Sequence, residues 1–205
     1  MRYEADRKQA TRMKMVETAA RVLRRDGIAA AGVAGLMAEA GLTNGAFYAH
    51  FDSKEALVAE AVVSALAHTR AAMATKIEQA PAGQALEAVI FHYLDPQHVA
   101  HPEHGCAIAA LGPELARRPE STRLAIDDAI ERIVATIADA IPGVSGDPVA
   151  AARAVFASMV GTIQLARTAH PARIPAILQA GAVAARTLGQ SIGHSVPCSG
   201  GASGE

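Results

Sequence analysis

Residues 41–57 read GLTNGAFYAHFDSKEAL. Gly41 closes a short stretch, Val33 to Ala40, in which Leu36, Met37 and Ala40 fall on one side of a helix, and Leu42 supplies the apolar residue of a tight turn. Thr43 is a hydroxyl residue where an N-cap belongs, so a second short helix is expected from Asn44 to about His50. Asp52, with Glu55 three residues on, has the pattern of a capping box. It is expected to start a further helix with Lys54 in the first turn, continuing from Leu57 to about Glu78. Two short helices joined by a glycine turn form a helix-turn-helix, whose second helix reaches the major groove of DNA with its first residues.

The residue types suit that task. Thr43 and Asn44 are small hydrogen-bonding side chains at the start of the second helix. Gly45 and Ala46 remove bulk where backbone would approach a duplex. Tyr48 offers a phenol to a phosphate, and Lys54 a charge next to free backbone N–H groups. His50 fits either local packing or base reading. Phe47, Phe51 and Leu57 read as the small domain's core. Upstream, Gly32 stands where a hydroxyl cap of the first short helix is expected, and Gly35 weakens that helix by about 1 kcal/mol relative to Ala.

The segment closely resembles the signature of the TetR family of bacterial transcriptional regulators. Gly41, Thr43, Gly45, Phe47, Tyr48, His50, Phe51, Ser53, Lys54 and Leu57 all match, and the likeness runs back to about Thr11, covering roughly a quarter of the chain. The family's usual Ser or Thr cap is replaced by Gly32. The resemblance implies an all-α protein: an N-terminal three-helix helix-turn-helix domain plus a larger helical ligand-binding and dimerisation domain. Expected boundaries are 1–54, 55–192 and a polar, disordered tail over 193–205. The implied partners are double-stranded operator DNA, a small-molecule effector and a second copy of the chain; repression is the family's usual direction.

The remaining sequence agrees with helices throughout. Apolar residues make up 51% of the chain and aromatics only 3%, so the core must be built from Ala, Val, Ile, Leu and Met. The first helix is expected from about Asp6 to Arg25, with Asp6 and Gln9 as a capping box, Met13, Val16, Ala20 and Leu23 inward, and Gly27 in the left-handed region after its end. Leu86, Val89, Ile90 and Tyr93 share a face within 82–94. Residues 95–105 read as a loop or broken helix. Cys106 to Arg117 is expected to be a short helix interrupted at Gly112-Pro113. Ile126, Ile130, Ile133, Ile137 and Ile141 form a stripe over 120–141, and 142–148 reads as a turn-rich break. Helices over 149–169 and 173–192 follow. No apolar run reaches the ~18 residues of a membrane span, the first residues lack a signal-peptide pattern, and Cys106 and Cys198 suggest no disulfide framework. A cytoplasmic protein is expected. Residues 1–54 carry an excess of three positive charges and the rest an excess of four negative ones, which fits contact with DNA at one end.

The last two helices are the expected dimer interface, through Phe156, Met159, Val160, Ile163, Ile174, Ile177, Leu178 and Gly181; the same faces could instead close the subunit's own core. In the family, the two helices of each subunit make a four-helix bundle. An effector pocket between the fourth and eighth helices has His92, Tyr93, Cys106, Gln164, Arg167 and Glu114 as polar candidates. Cys106, at the start of a short helix, also admits an electrophile- or redox-sensing repressor, and GCAIAALGPELARR resembles a segment found in part of the family. His92, His98, His101, His104 and Cys106 have no zinc-finger spacing, so neither a metal nor a cofactor is expected. No phosphate loop, G-x-S-x-G or H-E-x-x-H pattern favours an enzyme. A helical adaptor without DNA binding is the third reading.

Overall fold

A computed structural model describes residues 2–141 and 147–191. Its elements are α1 (Arg2–Asp26), α2 (Val33–Glu39), α3 (Asn44–Tyr48), α4 (Lys54–Gln79), α5 (Ala85–Tyr93), α6 (Pro96–Ala100), α7 (Ala107–Leu115), α8 (Glu120–Asp139), α9 (Pro148–Thr168) and α10 (Ile174–Ser191), with single 3-10 turns at Pro102–His104 and Pro171–Arg173. No strand occurs among the described residues, so the fold is all-α. The expected tail from 193, Cys198 and most of the break at 142–148 lie outside the described residues.

α1 starts before the expected cap, so Asp6 lies inside the helix. Its buried face is Met15, Val16, Ala19, Ala20, Val22 and Leu23, whereas Met13 is exposed. The face is set by what α1 packs on: α4, the turn at Pro102–His104, α2 and α7. Gly27 and Gly41 both adopt positive φ, +86° and +65°. At Gly41 this lets the chain reverse between α2 and α3, with Leu42 N–H reaching Met37 O at 2.8 Å.

The start of α4 differs from expectation. Ser53, not Asp52, is the cap, its hydroxyl accepting from Ala56 N–H at 3.1 Å. Glu55 does not fold back as a capping box. Its carboxylate accepts from Arg118 at 3.1 Å and from Thr122 at 2.8 Å, tying α4 to α8.

α4 is the long shared strut, buried through Leu57, Val58, Ala61, Val62, Ala65, Leu66 and Met73 against α1, α5 and α8. α9 and α10 form the most intimate helix pair. Lys54–Gln79 and Pro148–Thr168 are long and apolar enough to cross a membrane by composition, contrary to the expectation that no segment would be. Each is a core helix here, with part of its surface covered by neighbouring helices.

α7 is continuous through Pro113 rather than interrupted. A proline at 113 cannot donate to the carbonyl of Ala109, four residues back. Arg167 of α9 supplies the missing donor, with Nη1 at 3.0 Å from Ala109 O. Its Nη2 donates to His98 O at 2.7 Å, so one guanidinium ties α6, α7 and α9 together.

Candidate nucleic-acid interface

Thr43 caps α3: its Oγ1 accepts from Ala46 N–H at 3.3 Å. Phe47 and Phe51 stack at 5.9 Å and are buried, at 1% and 3% exposure. Burying two rings stabilises by about 3–6 kcal/mol, which anchors α3 from below. The opposite side is bare: Thr43, Asn44 and Gly45 are exposed, Ala46 is half-buried, and Tyr48 is 73% exposed. An aromatic that open, on a helix otherwise well anchored, is free for a partner. His50 closes the turn after α3, its N–H donating to Phe47 O at 2.9 Å. Its Nδ1 is buried without a partner, and desolvation together with Lys8 and Arg12 pushes its pKa below the usual imidazole value.

Lys54 is spent in part. Its Nζ donates to Ile28 O at 2.7 Å, holding the α1–α2 loop to the start of α4. The same end of that loop is held again by Glu114 of α7, whose Oε2 accepts from the N–H groups of Ile28 and Ala29 at 2.9 and 3.0 Å. Arg12 pairs with Glu60 and lies 4.3 Å over the Phe51 ring, so it belongs to the packing of α1 on α4. Gly32 caps α2 with no side-chain bond, and Gly35 is exposed within it.

Behind α1, a cavity of about 560 Å3 is lined by His92, Tyr93 and Cys106 together with Arg24, His68, Met73, His98 and His104. Gln164 and Arg167 are not in its lining, and Glu114 serves the α1–α2 loop instead. In the sequence, His98 stands out only as one of a cluster of histidines. Its Nε2 accepts from Cys106 N–H at 2.9 Å, which leaves the proton on Nδ1 to donate to Tyr93 O at 2.7 Å. Desolvation pushes its pKa down to about 4, so the ring is neutral. A Cβ at Gly105 would overlap this imidazole, which is why glycine precedes Cys106. Among the described residues, no group of three or more His, Cys, Asp or Glu is arranged to hold a metal ion.

On α9 and α10, Phe156, Met159, Ile163, Leu178 and Gly181 are buried within the subunit, and Val160, Ile174 and Ile177 are half-buried. The outward faces carry Ala157, Gly161 and Leu165 on α9 and Ala176, Ala180 and Val183 on α10. Leu165 and Val183 are 59% and 52% exposed.

Residues 15–61 match the family described as bacterial regulatory proteins, tetR family. No curated protein sequence matches the chain. Among solved structures, the reduced form of E. coli NemR is similar at TM-score 0.71 and 20% identity, over 87% of this chain and 96% of that one. SCO4454, a TetR-family transcriptional regulator from Streptomyces coelicolor, gives TM-score 0.72 and 20% identity over 90% of each chain. FadR from Bacillus subtilis, in complex with stearoyl-CoA, gives 0.65 and 15% over 89% of this chain and 99% of that one. At these identities the likenesses show a shared fold, and the fold is that of TetR-family regulators.

Proposed function

Since the chain carries a TetR-family helix-turn-helix domain on a TetR-type helical body, we propose that it is a ligand-responsive transcriptional regulator, acting as a repressor that leaves its operator when a small molecule binds. Residues 1–54 are the DNA-binding unit and 55–192 the effector and dimerisation unit, with α4 common to both. The observation that carries the reading is the bare outer side of α3: Thr43, Asn44, Gly45 and Tyr48 are exposed on a helix anchored by Phe47 and Phe51. Thr43 to Ala46 face base edges. Tyr48 and Lys54 meet phosphates, Lys54 with the two N–H donors that Ile28 leaves free. His50 supports the turn and lies close enough to the groove to read it.

A homodimer presents two such helices to a two-fold operator. The outward faces of α9 and α10, with the half-buried Val160, Ile174 and Ile177 at their edges, are the surface for it; the fully buried Phe156, Met159 and Ile163 support that surface from beneath. The cavity behind α1 is the effector site, through His92, Tyr93 and Cys106. The protein acts where the chromosome is, in the cytoplasm, and binding and release rather than catalysis are its chemistry.

Fluorescence anisotropy on the DNA upstream of its own gene tests this. Tyr48→Ala and Thr43→Ala each weaken binding at least tenfold, and the salt slope falls by about 0.9 for each phosphate no longer engaged. Binding that survives both changes intact would refute the assignment of α3. A second reading, a cysteine-sensing repressor, is favoured by one observation: Cys106 caps α7 in the cavity wall, within charge range of Arg24 and Arg167. Its thiol is only 1% exposed, so an electrophile would have to enter through the cavity. If Cys106→Ser still releases operator on treatment with a quinone, that reading fails.

A further inference from the structure

Two polar groups in the wall of the cavity behind α1 lack the partners their burial calls for. The hydroxyl of Tyr93, a residue only 2% exposed, has no nitrogen or oxygen partner, and the Cys106 thiol within its reach is only a weak one. It lies beside Cys106, in the lining of the cavity. Leaving a buried hydroxyl unpaired is costly unless something else occupies the site. Arg24 lines the same cavity, half-buried and desolvated. It donates from Nε to Ala20 O at 2.9 Å and from Nη1 to Gly105 O at 2.7 Å. A guanidinium has five donors, so three are left, and both acceptors it does meet are neutral carbonyls. The Glu103 carboxylate acts on this cation only through space, so its unused donors still suit an anion in the cavity.

We propose that this cavity takes a compact organic acid, with its acidic group held between the Tyr93 hydroxyl and the Arg24 guanidinium. The inference deepens the regulator reading and rests on it for its consequence at DNA. Ala65, Ala72 and Met73 of α4 give the apolar wall for the body of the molecule. Met73 suits a flat ring, since a thioether packs well at an aromatic edge. The local charges agree. His98 is neutral, and Arg167 adds a second positive charge within range of Tyr93 and Cys106. Two carboxylates lie close by and both are hydrogen-bonded: Asp95, in the cavity lining, accepts from Gln97 N–H at 2.7 Å, and Glu103, within charge range of Arg24 and Arg167, is hydrogen-bonded to His101. Arg24 also belongs to α1, the first helix of the DNA-binding unit. An acid that draws it away from Gly105 loosens α1 from the turn before α7.

Three matched probes test the ligand class by calorimetry on the full-length protein: naphthalene-2-carboxylate, naphthalene-2-carboxamide and 2-naphthylmethylammonium. The carboxylate is expected to bind at least about tenfold tighter than the amide, with the ammonium weakest. Tyr93→Phe and Arg24→Gln each bring the carboxylate down to the amide's affinity, whereas Arg24→Lys keeps most of it. Tyr93→Phe removes the hydroxyl and its weak contact with the Cys106 thiol but keeps the ring, so it reads the polar contact with the core still filled, and melting curves report whether Arg24→Gln is folded. The proposal is overturned if the amide or ammonium binds as tightly as the carboxylate, if none of the three binds, or if Tyr93→Phe binds the carboxylate like wild type. Carboxylate binding that leaves operator affinity unchanged supports the ligand class and contradicts the regulator reading instead.

Discussion

Truncating Glu114 to alanine should loosen the DNA-binding unit without touching DNA. One carboxylate oxygen holds the N–H groups of Ile28 and Ala29, at 2.9 and 3.0 Å, and is the main tie from α7 to the loop ahead of α2. Hydrogen bonds to a charged group contribute about 1.5–3 kcal/mol each. Ala29 is exposed, so its freed N–H finds water and the loss falls at the low end. Glu114→Ala should therefore cost about 2–3 kcal/mol. For a chain of this size each kcal/mol moves Tm by roughly 2–4 °C, giving a drop of roughly 4–12 °C. Glu114→Gln keeps a carbonyl oxygen in place and should cost about 1 kcal/mol, the difference between a charged and a neutral acceptor. Amide hydrogen exchange locates the effect. Protection at Ile28 and Ala29 should fall about thirtyfold in Glu114→Ala, the equivalent of about 2 kcal/mol, while the core of α9 stays protected. An alanine variant with wild-type exchange at these two amides, and Tm within about 1 °C of wild type, would refute the tie.

Two further outcomes follow from other parts of the molecule. His98 titrates near 4 in the folded chain against 6.5 for an ordinary imidazole, so the unfolded chain binds the extra proton first; its contribution is complete above about pH 6.5 and is lost as pH falls toward 4. By about pH 5 the loss from this group is about 2 kcal/mol, and the urea midpoint of His98→Gln should fall less between about pH 7 and pH 5 than that of wild type; equal falls would contradict the burial of a neutral ring there. Leu165→Asp combined with Val183→Asp places four carboxylates in the proposed dimer seam and should give a monomer by light scattering with an unchanged helical spectrum, whereas a persistent dimer would move the interface elsewhere.

The helix-turn-helix is legible in the sequence because its signals are local. Gly41 at positive φ, Thr43 as a cap and the Phe47–Phe51 pair each act within a few residues of themselves. Ser53 is masked as the α4 cap because Asp52 with Glu55 fits the same pattern one position earlier. The carboxylate of Glu55 is drawn instead to Arg118 and Thr122, more than sixty residues away. Arg167 and Glu114 stand out in the sequence as polar groups in an apolar region, and both are important to the fold. Their use is hidden there: each satisfies backbone groups that helix geometry leaves over, at Pro113 and after Gly27. The faces of α9 cannot be told apart in sequence because both are apolar. Only packing against α10 and α8 assigns Phe156, Met159 and Ile163 to the interior and leaves Ala157, Gly161 and Leu165 outside.

In the proposed function, the exposed side of α3, presented twice by a dimer, reads duplex DNA. A hydroxyl-radical footprint of the wild-type protein on the DNA upstream of its gene tests it most directly. Two protected half-sites related by a two-fold axis are expected, their centres about one helical turn or a whole multiple apart, both absent in Tyr48→Ala. A protected stretch without two-fold symmetry, or the same symmetric footprint from Tyr48→Ala, would contradict it.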